Sequence, residues 1–192
     1  MRNELGRYAH ICAGHPFRGT VPEARNGTVI VVQMRDINPV DGVAWKQTVR
    51  TNLLGRKQPD WLQIGDILFV ARGTRNFAVC VEEVPGQAVC SQYFFLIRLR
   101  DPNTLLPEFL TWQINQLPAQ HYLSKNAEGT DQRSIRRGVL EALPVTVPPL
   151  EEQRQLVRLA GMARHERKLM EGLILNREKQ MQALVLKLLA VN

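Results

Sequence analysis

Cysteine is scarce and poorly placed for chemistry. Cys12, Cys80 and Cys90 are odd in number, far apart and without Cys-x-x-Cys spacing. Neither a zinc site nor a disulfide framework is indicated, and reduced, mostly buried thiols in a cytoplasmic protein are expected. No apolar run approaches the roughly 20 residues of a membrane span. The opening Met1-Arg2-Asn3-Glu4 lacks the apolar stretch of a signal peptide. His10, His15, His121 and His165 form no metal-ligand spacing. The motifs of common catalysts are missing as well. Methyl transfer to adenine calls for an Asn/Asp-Pro-Pro-aromatic loop, yet Pro148-Pro149 stands between Val147 and Leu150. There is no Gly-rich cofactor loop and no Walker-type phosphate loop. Glu166-Arg167-Lys168 has the spacing of a nuclease Glu-x-Lys, but it falls in a long helical stretch with no acidic strand beside it. A solvated helix face accounts for it. No internal repeat of fixed period is visible. The expectation is a chain with no catalytic residues, metal or cofactor of its own.

What the chain has instead is an excess of cations. Lys and Arg number 25 against 18 Asp and Glu, for a formal net charge of +7 and a pI near 9.8. That balance favours an acidic partner, with double-stranded DNA the first candidate. The 192 residues allow one compact domain and an appendage.

The appendage is the C-terminal stretch. Pro149 suits a first helical turn, where its missing N–H would be unpaired anyway. Glu151 and Glu152 follow at the positive end of the helix dipole. From Gln153 to Ala190 there is no proline, and apolar residues recur with a helical period. One seam reads Ala160, Ala163, Met170, Ile174, Met181, Leu184 and Leu188, in steps of three and four once Arg167 and Arg177 are admitted. Leu159, Met162, Leu169 and Leu173 widen the apolar face. About 40 residues at ~1.5 Å each make a rod of roughly 60 Å, longer than one small domain can cover. An antiparallel coiled coil with a partner helix is expected; a terminal helix packed on its own domain is the alternative. Gly161, Gly172 and Ala183, spaced by 11, fall near one line where another helix could approach.

Ahead of that helix the pattern is mostly strands. Residues 1–25, with Gly14, Pro16, Gly19 and Pro22, read as irregular entry structure. Residues 28–34 are a β-branched run and predict a buried strand, followed by a turn through Pro39, Asp41 and Gly42. Residues 43–60 read as a short strand and a surface loop with a basic outer face. Residues 67–71 and 77–81 predict a hairpin with Gly73-Thr74-Arg75-Asn76 at its tip, and 88–100 a further strand. Pro107 opens a helix with Phe109, Leu110, Ile114 and Leu117 on its core side. Residues 124–134 read as a loop, 135–143 as a short helix and 144–147 as an extended connector. Strands first and helices later predict an α+β fold.

Several side chains could reach a duplex: Arg35 and Asn38 after the first strand, Lys46 and Arg50 in the basic loop, Arg72, Arg75 and Asn76 at the hairpin, and Gln132, Arg133, Arg136 and Arg137 before the short helix. Cations pair with phosphates or with guanine, and amides with adenine, but charge and spacing do not say which does which. For any one of them a solvated surface charge is the competing reading.

Certain stretches resemble half of a specificity subunit from a type I restriction-modification system. They are Gly65-Asp66-Ile67-Leu68-Phe69 with Arg72 and Gly73, then Gly129-Thr130-Asp131-Gln132 with Ile135, and above all Leu143-Pro144-Val145-Thr146-Val147-Pro148-Pro149-Leu150-Glu151-Glu152-Gln153. Weaker echoes lie in residues 33–37 and 88–92. The resemblance implies a target-recognition domain over residues 1–147 and a spacer helix over 148–192, where family members usually carry two of each. It further implies either a half-subunit that pairs with itself, as a homodimer reading a split palindromic site, or a fragment of a longer protein. Methyltransferase subunits holding S-adenosylmethionine would sit on that dimer, and restriction motor subunits could join them. A stand-alone DNA-binding regulator or decoy, and a structural coiled-coil protein, are the other expectations left open.

Overall fold

The computed structural model describes residues 3–53, 58–129 and 133–189. They form two compact units, Met1–Arg154 and Gln155–Asn192. The first unit is α+β. In chain order it contains α1 (Leu5–Tyr8), β1 (Ala9–Ala13), β2 (Val29–Val32), β3 (Ile37–Asn38), β4 (Gly42–Val43), β5 (Val49–Thr51), β6 (Ile67–Val70) and β7 (Arg72–Gly73). It continues with β8 (Ala78–Cys80), β9 (Ala88–Cys90), β10 (Phe94–Leu99), α2 (Pro107–Ile114), α3 (Leu117–Asn126), β11 (Arg133–Ser134) and α4 (Arg137–Glu141). Single 3-10 turns occupy Met34–Asp36 and Trp45–Gln47.

Two sheets build the core. One is antiparallel, in the order β1-β10-β6-β8; the other runs β5-β2-β9, with β2 parallel to β9. All four residues of β2 are buried, and the alternation of a strand sends them two ways. Ile30 and Val32 join Leu68, Val70, Val79, Phe94 and Leu96 between the sheets, while Val29 and Val31 pack with Val89, Phe17 and Trp61. Ile67 and Phe69 of β6 are buried as well, so that sheet is covered on both faces. At the outer edge of β8, the Asn115 side chain accepts the Ala78 N–H and donates to the Ala78 carbonyl, each at 2.9 Å. The amide thus occupies an edge that would otherwise stay open.

Several sequence expectations are corrected here. Residues 88–100 are two strands in different sheets. The break comes at Ser91–Tyr93, where the Ser91 N–H donates to Val32 O and Gln92 Oε1 accepts the Phe17 N–H, so these residues serve other segments. The entry stretch is partly regular: β1 places Ile11 opposite Ile97 and Ala9 opposite Leu99, both buried. Leu117 is exposed because α2 ends at Ile114 and Leu117 opens α3, outside the register of the first helix. That second helix runs to Asn126, into residues read as a loop, and α4 begins at Arg137 because the Ile135 N–H is drawn to Ala71 O. The run 28–34 leaves strand geometry after Val32, and Met34 is exposed.

The Gly65-Asp66 pair has a structural role. Gly65 turns with φ +88°, a conformation open to glycine. Asp66 then accepts Arg98 Nε and Nη2, both at 2.7 Å, and the Gln63 N–H, also at 2.7 Å. Arg98 Nη2 reaches Trp61 O besides.

The last element, α5 (Leu150–Leu189), is one unbroken helix of 40 residues. From 161 to 189 every residue is exposed, the seam residues Met170, Ile174, Met181, Leu184 and Leu188 among them. No helix among the described residues is long and apolar enough to cross a membrane.

Candidate nucleic-acid interface

Three segments far apart in sequence meet at one edge of the globular unit. The first is the 3-10 turn Met34–Asp36, which leaves β2. Asp36 Oδ2 accepts the Gln33 N–H at 2.8 Å and the Gln33 side chain answers, a reciprocal cap that fixes the turn. Asp36 is buried, and its Oδ1 has no hydrogen bond. Burial pushes the carboxyl above its ordinary value, against the pull of the Gln33 N–H and of Arg35, whose Nε lies 3.7 Å away. With Asp36 held inside, Met34 and Arg35 face outward.

The second segment is β7 with the turn after it. Asn76 donates its side-chain N–H to Val70 O at 2.9 Å and is buried, so it braces the turn and leaves Arg72 and Arg75 exposed. The third is β11. Arg133 stands opposite Gly73 and Ser134 opposite Arg72, the Ile135 N–H donates to Ala71 O at 2.9 Å, and Glu128 bridges Ser134. Gly73 joins the first segment to the other two: a Cβ there would lie 3.3 Å from Met34 Cε.

Arg35, Arg72, Arg75, Arg133 and Arg136 therefore stand on or beside segments that meet, and all are exposed; the β7–β11 register puts Arg72 and Arg133 on opposite faces of that ladder. Apart from Arg35 beside the buried Asp36, the ties found are surface ones. Arg136 pairs with the exposed Glu128 at 2.8 Å, and Arg133 donates to Ser124 Oγ at 3.2 Å. An exposed ion pair is worth about 0–1 kcal/mol and would yield readily to a phosphate.

The other candidates are placed differently. Asn76 is spent on the turn, and its burial argues against any contact with a base. Asn38 Oδ1 accepts the N–H groups of Val40 and Asp41 and its Nδ2 donates to Asp41, so it closes the β3–β4 hairpin. Lys46 is exposed on the Trp45–Gln47 turn, and Arg50 is exposed on the edge strand β5 opposite Ile30. Arg137 pairs with Glu141 at 2.7 Å and lines a polar cleft of about 370 Å³ beside Arg7, His10 and Arg100. Gln132 lies outside the described residues. Met34, exposed and next to Gly73, and Tyr93, exposed and bonded through its carbonyl to the Ala71 N–H, were missed from sequence. The β-branched run hid the first, and nothing local marks the second.

The junction with α5 is built on Gln153, which is wholly buried. Its Oε1 accepts the Leu106 N–H at 2.8 Å, and its Nε2 donates to Thr104 O and Pro148 O at 3.0 and 2.7 Å. Cys80 and Cys90 are free thiols whose pKa burial pushes up to about 12. Among the described residues no group of three or more His, Cys, Asp or Glu could hold a metal ion.

Comparison with known proteins agrees with this architecture. Solved structures share the fold, and three of them illustrate it. An S subunit of a type I restriction-modification system from M. genitalium aligns at TM-score 0.56 and 14% identity, over 83% of this chain and 37% of that one. The HsdS subunit from Thermoanaerobacter tengcongensis aligns at TM-score 0.59 and 22% identity, over 88% and 44%. A chain from a study of complex assembly and conformational transition in the type I system aligns at 0.64 and 17% identity, over 89% and 44%. This chain thus spans roughly two fifths of the length of those structures. No curated protein matches it in sequence. The description "Type I restriction modification DNA specificity domain" matches residues 21–174, which takes in most of the globular unit and more than half of α5. The chain belongs to the family of type I restriction-modification DNA specificity domains.

Proposed function

We propose that this chain is the DNA sequence-recognition component of a type I restriction-modification complex and performs no catalysis itself. The observation that carries the reading is that three segments bearing or flanked by the exposed Arg35, Arg72, Arg75, Arg133 and Arg136 meet in a domain of this family. Guanidinium groups there suit phosphate oxygens and the O6/N7 edge of guanine. The globular unit would read a half-site. Through its apolar seam α5 would pair antiparallel with the same helix of a second copy, since Met170, Ile174, Met181, Leu184 and Leu188 are uncovered in a single chain. A two-fold dimer holds two equal reading heads apart, so its target is a split palindrome with an unread spacer. Methyltransferase subunits would assemble on the dimer and bring S-adenosylmethionine, for which this chain offers no Gly-rich loop. Restriction motor subunits would join the same scaffold, and the complex would work in the cytoplasm.

The test is to mix the chain with the methyltransferase subunit encoded beside its gene and map the modified sites. Split, two-fold-symmetric sites are expected. Asymmetric or unsplit sites would overturn the homodimer, and modification no different from that of the methyltransferase alone would overturn recognition itself.

A further inference from the structure

Two residues with large, uncovered apolar side chains flank β7: Met34 lies against Gly73, and the Tyr93 carbonyl is bonded to the Ala71 N–H. Met34 is 39% exposed and Tyr93 45%; among the described residues of the globular unit, only Ile64 and Leu117 are large hydrophobics exposed in the same way. Neither is a loose end. Met34 opens the turn clamped by Gln33 and Asp36, and Gly73 leaves the space its Cε occupies. Tyr93 is fixed through its carbonyl, which accepts the Ala71 N–H at 2.9 Å, one residue before Arg72.

An occupant of this surface must offer anionic groups to the arginines and an apolar group to Met34 within one small patch. A DNA duplex does both: phosphates line the major groove, and the 5-methyl group of thymine is the apolar feature of its floor. A thioether has no N–H or O–H to donate and is a weak acceptor, so Met34 cannot read the polar edges of bases well. It can pack on a methyl group, and its flexible stem adapts to the fit. Resting on the reading of this unit as a DNA-recognition domain, we infer that Met34 is a specificity-determining residue that contacts the 5-methyl group of one thymine in each half-site. Arg72 and Arg133 grip the flanking phosphates and carry no sequence information.

The experiment uses the full chain. Duplexes are selected from a randomised pool, and each thymine of the selected site is then replaced in turn by deoxyuridine, which lacks only the methyl group. Binding is followed by fluorescence anisotropy for the wild type, Met34→Ala and Arg72→Ala. One replacement should weaken the wild type roughly tenfold, and the same replacement should leave Met34→Ala unchanged, closing a double-mutant cycle. Arg72→Ala should weaken all duplexes alike. A selected site without thymine, a wild type indifferent to every replacement, or an effect that persists in Met34→Ala would overturn the role of Met34 while leaving DNA recognition standing. Failure of the pool to yield any preferred sequence would instead overturn the recognition reading, and this inference with it.

Discussion

Buried polar side chains set how the globular unit is held, and two of them give sharp expectations. Gln153 spends its whole amide on three backbone groups, Leu106 N–H, Thr104 O and Pro148 O. Gln153→Leu fills the space but removes all three hydrogen bonds from half-buried or exposed residues, at about 1–3 kcal/mol. Urea unfolding should show a lower midpoint of that size; an unchanged midpoint would mean the junction reorganises freely. Asp36 gives a pH signature. Its folded carboxyl lies above the ordinary 3.8 because burial disfavours the charge. Between those two values the folded chain keeps a proton that the unfolded chain has released. The contribution of Asp36 to stability therefore falls as pH rises through that window. Asp36→Asn retains an acceptor for the Gln33 N–H and cannot ionise. Wild-type stability minus that of the variant should decline from about pH 4 toward neutrality. A difference that grows with pH would show that the Gln33 hydrogen bond and Arg35 outweigh burial.

At the scale of elements, what could be read from sequence is what local pattern dictates. The 40-residue α5 follows from a proline-free periodic run, β6 from an apolar run beside Gly65-Asp66, and α2 from Pro107 with Phe109, Leu110 and Ile114 buried as the period requires. The candidate surface was legible only in its parts. Arg72, Arg75 and Arg133 could be named, but β7 and β11 pair just two residues with two, too few for any hydrophobic pattern to announce the partnership. Asn76 looked like the tip of a hairpin, and its burial was decided by a carbonyl six residues back. Met34 followed a β-branched run, and only the cap between Gln33 and Asp36 turned it outward. The seam of α5 carries the prediction at this scale. An isolated helix gains little from propensity and depends on covering its apolar face. Ile174→Asp with Met181→Asp would place carboxylates in that face at 59% and 61% exposed positions, harmless to a single chain and costly to a pair. Sedimentation should shift from two-chain to one-chain mass, and retention of the dimer would rule out this seam.

For the whole molecule, if the proposed DNA binding holds, the question is whether a net charge of +7 acts diffusely or through one surface. Both produce affinity that falls with salt, since each neutralised phosphate releases counterions. They differ in which substitutions change the slope. If Arg35, Arg72, Arg75, Arg133 and Arg136 each meet a phosphate, log K against log salt should fall with a slope of roughly −4 to −5 per globular unit. Arg72→Ala or Arg133→Ala should then flatten it by about 1. Arg164→Ala and Lys179→Ala, equal charge changes at exposed positions on α5, should leave it alone. Diffuse attraction makes the opposite forecast, with any lost cation counting the same wherever it stands. Lys46 and Arg50 lie between these extremes, on the Trp45–Gln47 turn and an edge strand of the second sheet. A slope that responds to them as strongly as to Arg72 would extend the binding face beyond the three converging segments. A slope indifferent to them would confine it to the edge around Gly73.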